Sequence, residues 1–273
     1  MKLLLAAAAV VFGLVSCSPR QTWVAVGDSI TYLNDHQDET GNRVTKGYMT
    51  LVTEELPHIT CINKGFNGWT ATDVAREINT LGLTKADLYT IFLGTNDWWR
   101  GTPVGTIDDY TNNSGGDTFF GSFRIILDKL RELNPDARII LITPMKRVDF
   151  VYLADMKNNA FGSYRAKNGQ QLSDFANAVL ETGRHKNIEV IDLYNAGGMT
   201  HENLVRFKRL KDPSTGTYRN YGYPDFIDIP FNPETDDYPY PPDAIQMTYD
   251  GLHPSDDGYK VIAEMLLELL KTS

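Results

Sequence analysis

The chain has 273 residues and a mass of 30.7 kDa, with 42% apolar and 22% charged residues, enough for a substantial core in one large domain or two small ones. Lys and Arg number 26 against 35 Asp and Glu, for a formal charge of −9 and a pI near 5.0, the opposite of the basic footprint of a nucleic-acid binder. Two cysteines and five histidines exclude a disulfide-rich scaffold and leave little room for a Cys- or His-rich metal centre.

At the N-terminus, MKLLLAAAAVVFGLVS holds one Lys and an apolar run from Leu3 to Val15. The run is shorter than the roughly 20 residues of a spanning helix and fits the apolar part of an export signal. Leu14-Val15-Ser16-Cys17 resembles the lipobox of bacterial lipoproteins. That resemblance implies a signal peptide over residues 1–16, acylation of Cys17, and a lipid-anchored protein of the bacterial cell envelope. The other reading is an ordinary cleaved signal in which Cys17 has no role. Removing residues 1–16, whose only charge is Lys2, takes −9 to −10. Cys61, in an apolar strand pattern, reads as inert core.

Beyond this segment the chain alternates between strand-like and helix-like stretches, as in an α/β domain with a parallel sheet. The strands are read at Thr22 to Val26, Thr60 to Asn63, Leu88 to Leu93, Arg138 to Thr143 and Ile188 to Leu193, mostly short apolar runs suited to burial on both faces. Phe119, Phe123, Ile126, Leu127 and Leu130 line one helical face that Asn134-Pro135 stops. Leu172, Phe175, Ala176 and Val179 form a second face; Tyr259, Ile262, Ala263, Leu266 and Leu270 form a third, with Ser255 as N-cap and Asp256 and Asp257 at its positive end. Two stretches break the rhythm: a polar loop between Gly101 and Thr118, and residues 211–242, which hold 7 of the 13 prolines and 7 aromatics. Long excursions of this kind carry function or move. With no repeat and no linker, residues 17–273 read as a single domain with a long insertion before the last helix.

Four blocks sit after strands or before the last helix: Gly27-Asp28-Ser29-Ile30-Thr31, Asn63-Lys64-Gly65-Phe66-Asn67-Gly68-Trp69-Thr70, Gly94-Thr95-Asn96-Asp97, and Asp250-Gly251-Leu252-His253-Pro254-Ser255. In an open parallel sheet the first three converge on the crevice beyond the strands' carboxyl ends. Singly, each is also an ordinary turn, βα connection or cap. Together and in this order they resemble the SGNH, or GDSL-type, hydrolases.

The resemblance implies a three-layer α/β/α sandwich around a five-stranded parallel sheet of flavodoxin-like type, and acyl-ester hydrolysis without cofactor or metal. It assigns Ser29 as nucleophile, His253 as its base, and Asp250 as the carboxylate that fixes the imidazole. The oxyanion hole falls to the N–H groups of Ser29 and Gly68 and the side-chain amide of Asn96. Asp28 and Asp97 suggest a glycosidase pair at first sight, but are read as ordering their own loops through backbone N–H groups. His36, His58, His185 and His201 lack partners at ligand spacing and read as surface or packing residues.

Trp98 and Trp99 follow the Asn96 block, and the insertion brings Tyr218, Tyr221, Tyr223, Tyr238 and Tyr240 close in sequence to Asp250. Trp98, Trp99 and Tyr240 are therefore read as substrate-binding, stacking on sugar rings of a polysaccharide or small-molecule ester, and removal of short acyl groups, acetyl among them, from a carbohydrate is the leading expectation. The same residues also suit simple packing. A lipase or lysophospholipase is the alternative enzyme, and a non-catalytic glycan-binding surface lipoprotein the alternative of another class.

Overall fold

The computed structural model describes residues 19–272; the signal peptide read over 1–16 and the anchor residue Cys17 lie outside the described residues. The first half runs β1 (Gln21–Gly27), α1 (Ser29–Tyr32), α2 (Tyr48–Glu55), β2 (Ile59–Gly65), α3 (Ala71–Arg76), β3 (Leu88–Phe92), α4 (Thr95–Arg100), α5 (Ile107–Thr111) and α6 (Phe119–Leu133). The second half continues with β4 (Arg138–Ile142), β5 (Phe150–Val151), β6 (Asn159–Ala160), α7 (Leu172–Lys186), β7 (Glu189–Ile191), α8 (Leu193–Ala196), β8 (Lys208–Lys211), β9 (Tyr218–Tyr221) and α9 (Asp256–Lys271).

Five of these strands form one sheet in the order β2-β1-β3-β4-β7, with every pairing parallel. Alternation along each strand divides the core in two. Trp23, Ala25, Ile140 and Ile142 face the side covered by α2 and α9, where Tyr48, Val52, Tyr259 and Ile262 are buried. Val24, Val26, Ile139 and Leu141 face the side covered by α3, α6 and α7, where Val74, Phe123, Ile126, Phe175 and Val179 are buried. The result is the three-layer α/β/α sandwich. Because β1 lies between β2 and β3, the chain reverses its direction of winding there, opening a crevice beyond the carboxyl ends of β1 and β3.

The five strands and three long helices lie where the apolar patterns place them, Ser255 capping α9 through its hydroxyl and the Gly258 N–H. Two expectations change. The Gly101 to Thr118 stretch contains α5, started by a capping box in which Thr106 and Asp109 satisfy each other's backbone N–H. The 211–242 excursion is partly regular: β9 within it pairs antiparallel with β8 just before it, from Lys208 opposite Tyr221 to Lys211 opposite Tyr218. A second short hairpin, β5 with β6, stands after β4.

Candidate active site

β1 ends at Gly27, and Asp28 caps α1 by accepting the Ile30 N–H at 2.9 Å. Ser29 is thus the first residue of a helix whose leading N–H groups have no intrahelical acceptor. Its Oγ is 2.8 Å from His253 Nε2. His253 Nδ1 is 2.6 Å from Asp250 Oδ2, while Asp250 Oδ1 accepts the N–H groups of Leu252 at 3.0 Å and His253 at 2.7 Å. A carboxylate so placed makes Nδ1 the donor and leaves the Nε2 lone pair toward the Ser29 hydroxyl. Phe150 meets the imidazole edge-on at 5.4 Å and Tyr249 stacks on it at 5.8 Å, so the ring is held on both sides. Asp250 is fully buried, whereas Ser29 and His253 line a cleft of about 410 Å³.

Gly68 and Asn96 line the same cleft. Gly68 has φ +72°, a left-handed conformation that favours glycine. Gly65, in the same block, lies under α1 instead, where an added Cβ would press on the backbone of Thr31 and Tyr32. Asn96 donates one amide hydrogen to Trp69 O at 2.9 Å, which leaves the other for a ligand. Asn63 binds the first two blocks together, donating to Thr31 O at 3.0 Å and accepting the Gly65 N–H at 2.8 Å.

The two block aspartates differ in reach. Asp28 orders its own turn. Asp97, read as ordering its own loop, bonds its own backbone N–H and also accepts the Ala71 N–H with both oxygens at 3.0 Å, tying the Asn96 block to the start of α3. Burial raises Asp28 to about 6 despite the Ile30 N–H and the nearby His253. Burial likewise raises Asp97 to about 7, against the pull of backbone N–H groups including that of Ala71. Cys61 is a half-buried free thiol, and burial pushes its pKa well up, away from reactive thiolate.

Of the three aromatics read as substrate-binding, only Trp99 lines the cleft. Trp98 is fully buried and its indole N–H donates to Gln170 O at 3.1 Å. Tyr240 is fully buried too, its hydroxyl on Asp149 O. No residue of 211–242 lines the cleft; Tyr238 and Tyr240 brace the back of its wall through the carbonyls of Val151 and Asp149. The wall itself comes from the segment after β4, with Arg147, Phe150, Tyr152, Asn158 and Ala160. That segment carries no motif, yet its place beyond a parallel strand's carboxyl end is the signal that points to it. His201 packs as read, its Nε2 2.9 Å from Ser163 Oγ and its ring stacked on Tyr223.

A hydroxyl, an imidazole and a carboxylate aligned in the crevice of a doubly wound parallel sheet define an SGNH-type hydrolase fold. The chain belongs to the GDSL-like Lipase/Acylhydrolase family, which matches residues 25–261, and is a carboxylic ester hydrolase. A structure from Chitinophaga pinensis described as that of a possible lipase is 60% identical, covering 93% of this chain and 98% of its own, with a TM-score of 0.92. A Lactobacillus plantarum protein shares 20% identity over 94% of this chain and 99% of its own, with a TM-score of 0.63. An acetylxylan esterase from Geobacillus stearothermophilus shares 16% identity over 93% of this chain and 95% of its own, at a TM-score of 0.50. These last two likenesses are of fold. None of the curated proteins matches the chain.

Proposed function

We propose that the protein removes short acyl groups, acetyl in particular, from a carbohydrate through an acyl-enzyme on Ser29. His253 takes the Ser29 proton as the hydroxyl attacks the ester carbonyl, and Asp250 stabilises the imidazolium. The Ser29 and Gly68 N–H groups and the Asn96 amide receive the oxyanion. His253 then returns the proton to the leaving alcohol, and water releases the acid by the same steps.

The composition of the cleft carries the substrate reading. Around Ser29 stand Glu39, Asn67, Asn96, Asn158 and Arg100, interspersed with Leu33, Phe150, Ala160 and Leu252, and with Trp99 as a half-buried aromatic face. Such a surface suits a hydroxylated ring. In a continuous apolar channel the six further methylenes of an octanoyl ester, at ~0.8 kcal/mol each, would favour it over acetyl by about 5 kcal/mol. The amides and charges of this cleft interrupt its apolar surface, so that no continuous channel is lined for a long acyl chain.

Export and lipidation at Cys17 belong to the same proposal. β1 begins at Gln21 and reaches Ser29 only after seven residues of strand, so the chain enters roughly 20 Å from the cleft, at the opposite end of the sheet. An anchor there holds the cleft away from the bilayer, toward soluble or wall-bound glycan.

A series of nitrophenyl esters from acetate to palmitate, with acetyl release from polysaccharides, tests the proposal using wild type and Ser29→Ala. The expected result is a maximum at acetate and loss of nearly all activity in Ser29→Ala. A maximum at C8 or longer would establish a lipase. Activity that survives Ser29→Ala would remove the nucleophile, and tight glycan binding without turnover would leave a binding protein.

A further inference from the structure

Arg147 lies in the cleft wall, in the segment that leads from β4 to β5, and lines the same cleft as Ser29 and His253. It is 1% exposed. Its backbone is fixed by Ser163, whose Oγ accepts the Arg147 N–H at 3.1 Å and whose N–H donates to Arg147 O at 2.8 Å. Its guanidinium is not fixed in this way: Nε and Nη2 are buried without a hydrogen-bond partner. The rings of Trp98, Trp99 and Phe150 surround it at 5.4, 5.5 and 5.9 Å. Ring faces offset part of its charge, but they do not replace acceptors for in-plane N–H donors.

The neighbouring anions are already engaged. Asp250 and Asp149 attract the guanidinium from a distance and partly oppose the burial that lowers its pKa to about 10, so it remains a cation at neutral pH; Asp28, engaged by the Ile30 N–H, also feels its charge. Asp250 is held by His253 and Leu252. Asp149 is held by Lys208 at 2.7 Å, the Gly162 N–H at 3.0 Å and the Tyr164 hydroxyl. Elsewhere in the cleft, Arg100 is paired with Asp73 at 2.8 Å, and Glu39 accepts the Tyr32 hydroxyl at 2.8 Å. Among the described residues Arg147 is therefore the cleft's cation without an anion in contact. A buried guanidinium left in this state is costly to the fold, and a carboxylate brought into the cleft would supply the acceptor it lacks.

We propose that Arg147 is a receptor for a carboxylate on the substrate, next to the scissile ester, so that the enzyme selects acylated acidic sugars over neutral ones. This rests on the acyl-ester reading of the same cleft and adds to it the charge of the substrate. Arg147 touches the sugar's acid group and takes no part in proton transfer.

The test compares 4-acetoxybenzoate with its neutral methyl ester, each kcat/KM being normalised to the rate of alkaline hydrolysis. The wild type is expected to prefer the anion at least tenfold. Arg147→Gln should bring the ratio close to 1, and Arg147→Lys should keep part of it. A ratio is independent of the fraction of active protein, so partial misfolding of a variant does not mimic the result. A binding arm needs neither turnover nor a variant: by calorimetry, D-galacturonate should bind the wild type at least tenfold more tightly than D-galactose. A wild-type ratio near 1, a ratio unchanged in Arg147→Gln, or equal binding of the two sugars would each overturn the assignment. Failure to hydrolyse either ester, with galacturonate still preferred, would overturn the catalytic reading and leave the carboxylate receptor standing.

Discussion

Asp97 makes the stability of this fold depend on pH in a direction opposite to that of a salt-bridged carboxylate. Its side chain is fully buried and raised from 3.8 to about 7 by that burial. Below pH 4 the folded and unfolded chains both carry the proton. Between pH 4 and 7 the unfolded chain releases it while the folded chain keeps it, so stability falls across this window and levels off above about 7. The difference from 3.8 to about 7 corresponds to on the order of 4 kcal/mol, a large part of the 5–15 kcal/mol typical of a folded domain. Asp97→Asn keeps an acceptor for the Ala71 N–H but cannot ionise. Its stability relative to wild type should therefore rise by about 3 kcal/mol between pH 4.5 and pH 8, the unfolded carboxyl being already mostly ionised at the lower pH. Asp28, raised to about 6, titrates in both proteins, and the repulsion it exerts on Asp97 is removed together with the Asp97 charge. Urea unfolding followed by tryptophan fluorescence at pH 4.5, 6 and 8 measures it. A difference that stays constant with pH, or that favours the variant more strongly in acid, would refute the reasoning.

Asn96→Ala should lower kcat on acetate esters by on the order of 10² to 10³ with little change in KM, because in the proposed mechanism the lost amide acts on the oxyanion; a change confined to KM would move Asn96 into substrate binding. Gly65→Ala should destabilise the fold by about 1–3 kcal/mol and weaken activity with it, since its Cβ would lie 2.7 Å from the Thr31 carbonyl carbon under the helix that carries Ser29; calorimetric melting and esterase assays report both, and an unchanged Tm would show that α1 can shift freely. Trp98→Ala should cost about 3–5 kcal/mol of stability as a core cavity. Trp99→Ala should raise KM for glycan esters and leave the fold largely intact; if denaturation and steady-state kinetics gave the reverse assignment, the placement of the two rings would be wrong.

The fold was open to reading because its parallel strands, buried on both faces, are nearly continuous apolar runs, and its long helices carry one apolar stripe each. Neither signal depends on a distant partner. The wall of the cleft was not legible for the complementary reason. Residues 144–170 have no long periodic segment, and their two-residue strands are held by contacts remote in sequence, such as Tyr238 on the Val151 carbonyl and Lys208 on Asp149. The aromatic insertion drew attention as a substrate platform, yet its tyrosines reach the cleft only from behind. Composition reports that aromatic surface is available and says nothing of which way it turns.

By itself, the sequence determined the layered α/β architecture, the order of the four blocks, and the residue types able to perform acyl transfer. These are set by local periodicity and by chemistry that tolerates few substitutes. Tertiary structure alone decided that Ser29 and His253, 224 positions apart, stand at 2.8 Å, and that Asp97 serves the neighbouring block. It also decided which of two adjacent tryptophans faces the cleft. Trp98 and Trp99 are consecutive on α4, and a helix turns about 100° per residue, so one ring enters the core and the other the cleft according to how that short helix is set against α7. Arg147 shows the same limit. Nothing in its local sequence marks it out, and its significance comes from packing that buries a cation in the wall of the cleft that Ser29 lines and leaves it without a counter-ion in contact.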